Sequence, residues 1–322
     1  MAEIFAMTFP MFGIILLGFV AGKSRAIPVD GLAWLNVFVI YIALPSLFFQ
    51  LLSQTPIEKI ASWEFILATT AATYIVFALS FAIGAIASKG NILESAIQGF
   101  AGSYGNIGFM GPGIAIAAFG PKAAVPVALI FCFENAMHFT IAPLLAALSS
   151  DKSENLAKLL FTVAKKIFSH PFIIATIAGI TAAAFQYTPP LPVDRLLTSL
   201  TSAAAPCALF AMGVSIAVRP TGRIPAAIPA LLSMKLVVHP IIVYFVISWV
   251  GDFDRIWVYS AILLASLPTA TNVFVIAQQN NAWIERASSM ILFSTGLSVF
   301  SVTALLYMIA NGMIPADFFP PT

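Results

Sequence analysis

Charge is what this chain lacks most. Of its 322 residues only 9% are Asp, Glu, Lys or Arg, where a water-soluble globular domain carries about 25%. The two cysteines, Cys132 and Cys207, fall inside apolar runs, where a thiol behaves as a small hydrophobe, so neither a disulfide framework nor a zinc site is indicated. The sequence has no His-Glu-x-x-His zinc motif, no Gly-x-Ser-x-Gly nucleophile elbow and no carboxylate cluster of the kind that holds a cation. These gaps argue against an enzyme, and no metal or cofactor is implied. The net charge of +2 is spread over short loops between apolar runs, so nucleic acid is not an expected partner.

What remains is overwhelmingly apolar, with 60% hydrophobic residues and a mean hydropathy of +0.99. This predicts an all-α, multi-spanning membrane protein. Ten apolar segments can be counted, at 4–22, 33–53, 64–88, 95–120, 123–149, 169–187, 196–218, 226–250, 256–281 and 284–310. Each is long enough for a hydrocarbon core of about 30 Å. The first follows Met1-Ala2-Glu3 without a basic leader, so it is expected to stay as a span and not to be a signal peptide. The loops after the odd-numbered spans hold ten basic residues (Lys23, Arg25, Lys89, Lys152, Lys158, Lys165, Lys166, Arg219, Arg223 and Arg286), against Lys59, Lys122, Arg195 and Arg255 on the other side. The positive-inside rule then puts both termini outside.

Two of the ten spans are interrupted. In the fourth, Gly105, Gly108, Gly111, Pro112 and Gly113 surround the polar Ser103, Tyr104 and Asn106. In the ninth, Pro268, Thr269, Thr271 and Asn272 break an apolar run. Gly and Pro cannot hold a helix there, and each unpaired backbone group in hydrocarbon costs several kcal/mol, so the breaks must be satisfied by protein, water or a bound solute. Paired breaks in two halves of a chain point to the binding site of a secondary transporter. The bland alternative is two Pro-kinked helices.

The halves are related in sequence. Pro10, Gly18, Pro28 and Pro45 recur as Pro171, Gly179, Pro189 and Pro206, each 161 residues on. Five spans per copy is odd, so the copies enter the membrane from opposite sides and form an inverted repeat. The expected organisation is a first repeat over 1–150, an amphipathic connector along the cytoplasmic surface over 151–168, and a second repeat over 169–322.

Four ionisable residues lie within spans: Glu134 and His138 in the fifth, Lys235 and His239 in the eighth, each pair spaced to share a helix face. A Lys or Glu at the bilayer centre costs about 2.5–3.5 kcal/mol on insertion scales, so such residues face a cavity or one another. The two faces are expected to meet, with Lys235 pairing with Glu134 or attracting an anion. For the histidines the bland reading is a neutral, hydrogen-bonded core residue, and proton coupling is the sharper one. Asn106, Asn135, Thr269, Thr271, Asn272, Gln278 and Gln279 add uncharged polar groups suited, with half-helix N-termini, to holding a carboxylate.

The runs GNIGFMGPGIAIAAFG at 105–120, ALPSLFF at 43–49, AAPCALFAMG at 204–213 and SLPTATNVFVIAQQ at 266–279 resemble the auxin efflux carrier family, which includes bacterial permeases and the plant PIN carriers. The resemblance covers the whole chain. It implies ten helices in two inverted five-helix repeats, similar to bile-acid symporters and sodium/proton antiporters, with spans one, two, six and seven as scaffold. It further implies that the fourth and ninth helices cross at Gly111-Pro112-Gly113 and Pro268. Substrate would sit near that crossing against Asn106 and Asn272, helped by Ser103, Tyr104, Gly105, Thr269 and Thr271, and a homodimer would form through the scaffold. The short connector favours a bacterial inner-membrane permease for malonate or a related carboxylate, with an auxin-like acid as the lesser choice. Glu134, Asn135, His138, Lys235, His239 and Gln278 are the candidates for charge compensation or coupling. A sodium- or proton-coupled symporter of another organic solute is the alternative, and an intramembrane enzyme, a channel or a sensor lies further off.

Overall fold

The computed structural model describes residues 2–24, 30–57, 62–148, 161–162, 164–165, 168–218 and 227–319. Among these every regular element is helical. Helix α1 (Ala2–Lys23) is followed by α2 (Asp30–Phe38), which passes through a π-helical turn at Val39–Ala43 into α3 (Leu44–Ser53). Then come α4 (Trp63–Ala87), α5 (Ile92–Ser103), α6 (Gly111–Phe119), α7 (Ala124–Leu148), α8 (Pro171–Ala184) and α9 (Leu191–Val218). Helix α10 (Ala227–Ser233) passes through a second π-turn, Met234–Val238, into α11 (His239–Val250), and α12 (Arg255–Ser266), α13 (Asn272–Gln279) and α14 (Ile284–Ala310) complete the order.

Six helical stretches among the described residues are long and apolar enough to cross a membrane: Gly31–Ser53, Trp63–Ala87, Pro121–Leu145, Leu191–Val218, Ala227–Val250 and Ile284–Ala310. Shorter apolar helices cover Thr8–Lys23, Pro171–Ala184 and Arg255–Ser266. The connector expected over 151–168 lies almost entirely outside the described residues. Large side chains such as Trp34, Trp249 and Phe300 are more than 70% exposed, as expected of helices whose outer face meets lipid rather than water.

Both π-turns run into a proline, Pro45 in the first turn of α3 and Pro240 in the first turn of α11. A proline ring clashes with the preceding helical turn and offers no N–H to it, and widening that turn by one residue relieves the clash without ending the span.

The core is set by close backbone contacts. Helix α1 lies along α9, and α3 along α8. A Cβ on Gly18 would stand 2.2 Å from the carbonyl oxygen of Phe210, and one on Gly213 would stand 2.0 Å from that of Ile15. In the other pair, a Cβ on Gly179 would stand 3.0 Å from both the Phe49 carbonyl oxygen and Leu52 Cβ. Gly18, Phe49 and Leu52 map onto Gly179, Phe210 and Gly213 at the same 161-residue offset that relates the prolines.

Gly213→Ala is therefore expected to lower the unfolding midpoint in detergent, by the equivalent of about 1–3 kcal/mol for overpacking. Gly296→Ala, where a Cβ meets nothing within 4 Å, should leave it unchanged. Equal midpoints for both variants would mean that α1 and α9 are not held at backbone contact.

Candidate functional site

The site is built where two helices stop. Helix α5 starts from Asn91, whose Oδ1 accepts the Glu94 N–H at 3.0 Å, and α12 starts from Asp254, whose Oδ1 accepts the Ile256 N–H at 2.8 Å. These caps fix where each helix begins. Both then run twelve residues, roughly 18 Å or somewhat over half the hydrocarbon thickness, before the chain becomes extended.

The two extended breaks satisfy each other. Gly105 and Thr269 form an isolated antiparallel bridge, in which the Asn106 N–H donates to the Pro268 carbonyl at 2.8 Å and the Ala270 N–H to the Tyr104 carbonyl at 2.9 Å. The Thr269 N–H donates to Ser294 Oγ of α14 at 3.1 Å. Each broken helix also leaves a last-turn carbonyl in need of a donor. Ala101 O accepts from the Thr269 hydroxyl at 2.7 Å, and Ala265 O accepts from Lys235 Nζ. Across the bridge Thr269 faces Gly105, which has no side chain. A Cβ there would stand 3.1 Å from Leu264 O and 3.3 Å from Lys235 Nζ, so the amino group occupies the place the missing side chain leaves.

A second set of bonds ties the crossing to α7. The Tyr104 hydroxyl donates to Asn135 Oδ1 and accepts from Asn272 Nδ2 at 2.8 Å, while Asn135 Nδ2 donates to the Phe131 carbonyl at 2.7 Å. The Tyr104 ring stacks on His138 with centroids 3.9 Å apart. Asn106 Nδ2 meets Met212 Sδ of α9 at 2.9 Å, a weak acceptor for an amide donor.

Behind the crossing the four ionisable candidates come together, in a different arrangement from the expected ion pair. Lys235 Nζ lies 3.0 Å from His239 Nδ1, His239 Nε2 lies 3.1 Å from Thr73 Oγ1, and the Thr73 hydroxyl donates to Glu134 Oε1 at 2.8 Å. Lys235 reaches Glu134 only through two intermediates. The π-turn carries Lys235 toward α12, and Thr73 of α4 fills the gap. His138 Nδ1 bonds the Glu134 carbonyl. All these side chains are buried, and Glu134 and Lys235 are the buried Asp, Glu, Lys or Arg residues among those described.

In front of the crossing lies a cavity of about 780 Å³. Tyr104, Gly105, Asn106, Asn135, Thr271 and Asn272 form its polar wall, and Phe109, Phe131, Phe139 and Phe172 supply much of the rest. It extends to Ser169, His170, Gln279 and Asn280, and its described lining contains no Lys, Arg, Asp or Glu.

Not every candidate falls at this wall. The Ser103 hydroxyl turns back to the Gly99 carbonyl at 2.9 Å, and Thr269 is consumed by the bridge. Gly111, Pro112 and Gly113 form the first turn of α6, so the crossing centres on Gly105 and Thr269 and not on Pro112. A helix start tolerates a proline because its first N–H groups have no helical partner, whereas the bridge needs the N–H groups of Asn106 and Ala270 and only the carbonyl of Pro268. Gln278 is exposed on α13, and Gln279 reaches the cavity instead. Thr73, His170, Met212 and Ser294 were not singled out from the sequence. Thr73 is one of three threonines in α4, and nothing in spacing separates it from Thr69 and Thr70.

A family model described as membrane transport protein matches residues 3–307. The chain belongs to this family, the auxin efflux carrier type. Its members are transporters and not enzymes. The chain is 53% identical over 320 residues, 99% of its length and all of the relative, to a "putative malonate transporter" of Rhizobium meliloti (strain 1021). It is 23% identical over 295 residues, 90% of its length and 93% of the relative, to an "uncharacterized transporter" of Methanothermobacter thermautotrophicus. For a membrane transport protein, a polar-walled cavity at two mutually satisfied helix breaks is a chemically sensible place for a solute.

Tyr104→Phe removes the hydroxyl shared by Asn135 and Asn272. With Asn135 buried, the loss should be about 1–3 kcal/mol, read as a lower unfolding midpoint in detergent. An unchanged midpoint would mean that the Tyr104 hydroxyl does not join α5, α7 and α13.

Proposed function

We propose that the protein is a secondary transporter of a small organic anion, a carboxylate such as malonate, held at the Gly105–Thr269 crossing and moved by alternating access. The observation that carries this reading is the pair of amides, Asn106 and Asn272, in the wall of a cavity whose described lining has no charged Asp, Glu, Lys or Arg side chain. Such a wall offers donors without a competing carboxylate. Helix α13 begins at Asn272 and adds the positive end of its dipole. Asn106 spends its donor on the thioether of Met212, and a carboxylate oxygen is the stronger acceptor, so an arriving anion displaces that contact. The name of the Rhizobium meliloti relative supports a carboxylate.

The architecture that goes with this reading is ten spans in two inverted repeats of five, 1–150 and 169–322, joined by a cytoplasmic connector. The unbroken helices at 31–53, 63–87, 124–148, 191–218, 227–250 and 284–310 supply six spans, α1 and α8 two, and the pairs α5–α6 and α12–α13 the broken two. The 161-residue offset shared by the glycine contacts of α1 with α9 and of α8 with α3 supports the repeat. With both termini outside a bacterial inner membrane, as the basic loops favour, the cavity that extends to Ser169 and His170 beside the connector faces the cytoplasm.

Charge movement on solid-supported membranes tests the function, using acetate, lactate, malonate and succinate as probes. Wild type should give a current with the dicarboxylates malonate and succinate. Asn106→Ala and Asn272→Ala each remove one hydrogen bond to an anion, about 1.5–3 kcal/mol, and should weaken apparent affinity by about 10–100-fold. Wild-type affinity in both variants would contradict a site at the crossing.

A further inference from the structure

The buried chain behind the crossing is more than the fold requires. At Ala101 a neutral hydroxyl, that of Thr269, is enough to satisfy the carbonyl left at the end of α5. At Ala265, the corresponding carbonyl of α12, the donor is the amino group of Lys235, which is completely buried. Lys235 is not neutralised by direct contact. Its counterpart Glu134 stands at the other end of a chain in which His239 and Thr73 each bond on both sides.

We propose, resting on the transport reading above, that Lys235, His239, Thr73 and Glu134 form a proton-binding site that couples anion movement to one proton. The chain has a net charge of zero when Lys235 is an ammonium and Glu134 a carboxylate. When the chain takes up a proton from water, a hydronium O–H bond breaks, water is left, and a Glu134 O–H bond forms. The chain then carries +1. The Lys235 end stands directly behind the cavity wall, against Gly105, and the Glu134 end lies on α7, which gives Asn135 to that wall. Among the described residues the cavity lining supplies no Lys or Arg, so the protonated chain places a positive charge beside an anion there. Anion and proton favour each other's binding by the same factor, as linkage requires. On release the Glu134 O–H bond breaks, and the proton returns to water on the other side. No electrons are transferred.

The other titratable groups facing the chain are His138, bonded to the Glu134 carbonyl, and Tyr104 and Tyr74, whose rings lie 3.9 and 5.5 Å from that of His138. Neither tyrosine hydroxyl is hydrogen-bonded to one of the four side chains.

The test uses full-length protein in liposomes loaded with the acid, among acetate, lactate, malonate and succinate, that gives the largest counterflow of its labelled form. With membrane potential clamped at zero, a gradient of one pH unit should drive about tenfold accumulation of a monoanion carried with one proton. A pH dye inside the vesicles should report the proton. Glu134→Gln and Thr73→Val should still exchange labelled for unlabelled acid but lose the accumulation and the dye signal, and Thr73→Ser should restore both. Counterflow in wild type with no response to the pH gradient, or with accumulation driven by sodium alone, overturns the proton site and leaves the transport reading intact. Proton movement persisting in Glu134→Gln also overturns it. No counterflow with any of the four acids overturns the transport reading and the proton site with it.

Discussion

Much in this structure follows from one constraint, that a buried helix end must find partners for the backbone groups it exposes. The protein meets it by breaking two helices at the same place and letting each break satisfy the other. One pair of hydrogen bonds across Gly105 and Thr269 does this for the extended residues, and Thr269 and Lys235 do it for the carbonyls at the helix ends. A single broken helix would have needed water or a permanently bound solute. Two broken helices satisfy each other, and the amides of Asn106 and Asn272 still face the cavity.

The satisfied crossing divides its surroundings into two chemically different sides. In front, amides and aromatic rings line a cavity whose described lining has no Lys, Arg, Asp or Glu, and behind, four side chains from α4, α7, the second π-turn and α11 form a hydrogen-bonded chain. Gly105 is the thin place between them, because the absence of a side chain brings Lys235 to within a residue of the cavity. Tyr104 and Asn135 tie the crossing to α7, so α5, α7 and α13 share a rigid frame. The Asn106–Met212 contact reaches across to α9, and it is a weak one. A ligand that competes for Asn106 therefore acts where the crossing and the α1–α9 pair touch.

Much of this was legible in the sequence and some was not, for physical reasons. Membrane depth makes an ionisable or helix-breaking residue expensive, so Glu134, His138, Lys235, His239 and the two broken stretches stand out against their apolar background. Backbone register carries no such mark. Gly111-Pro112-Gly113 looked like the centre of the crossing because it holds the strongest helix breaker, yet a proline starts a helix as readily as it breaks one, and the bridge formed around Gly105. Spacing shows which residues share a face but not what stands between two faces, so it points to Lys235 pairing with Glu134 or attracting an anion and is silent on the group between them. Thr73 stands there, and a threonine in a membrane helix is too ordinary to be noticed. Gln278 and Gln279 differ by 100° around α13, and only the packed structure tells which of them faces the cavity.

The most direct test of the central claim is a structure of the protein in a lipid nanodisc with malonate at saturating concentration. The account predicts the carboxylate against the amides of Asn106 and Asn272, with the Asn106–Met212 contact broken and the Gly105–Thr269 bridge intact. Malonate bound away from the crossing, or an Asn106 amide still seated on Met212 in the occupied site, would contradict it.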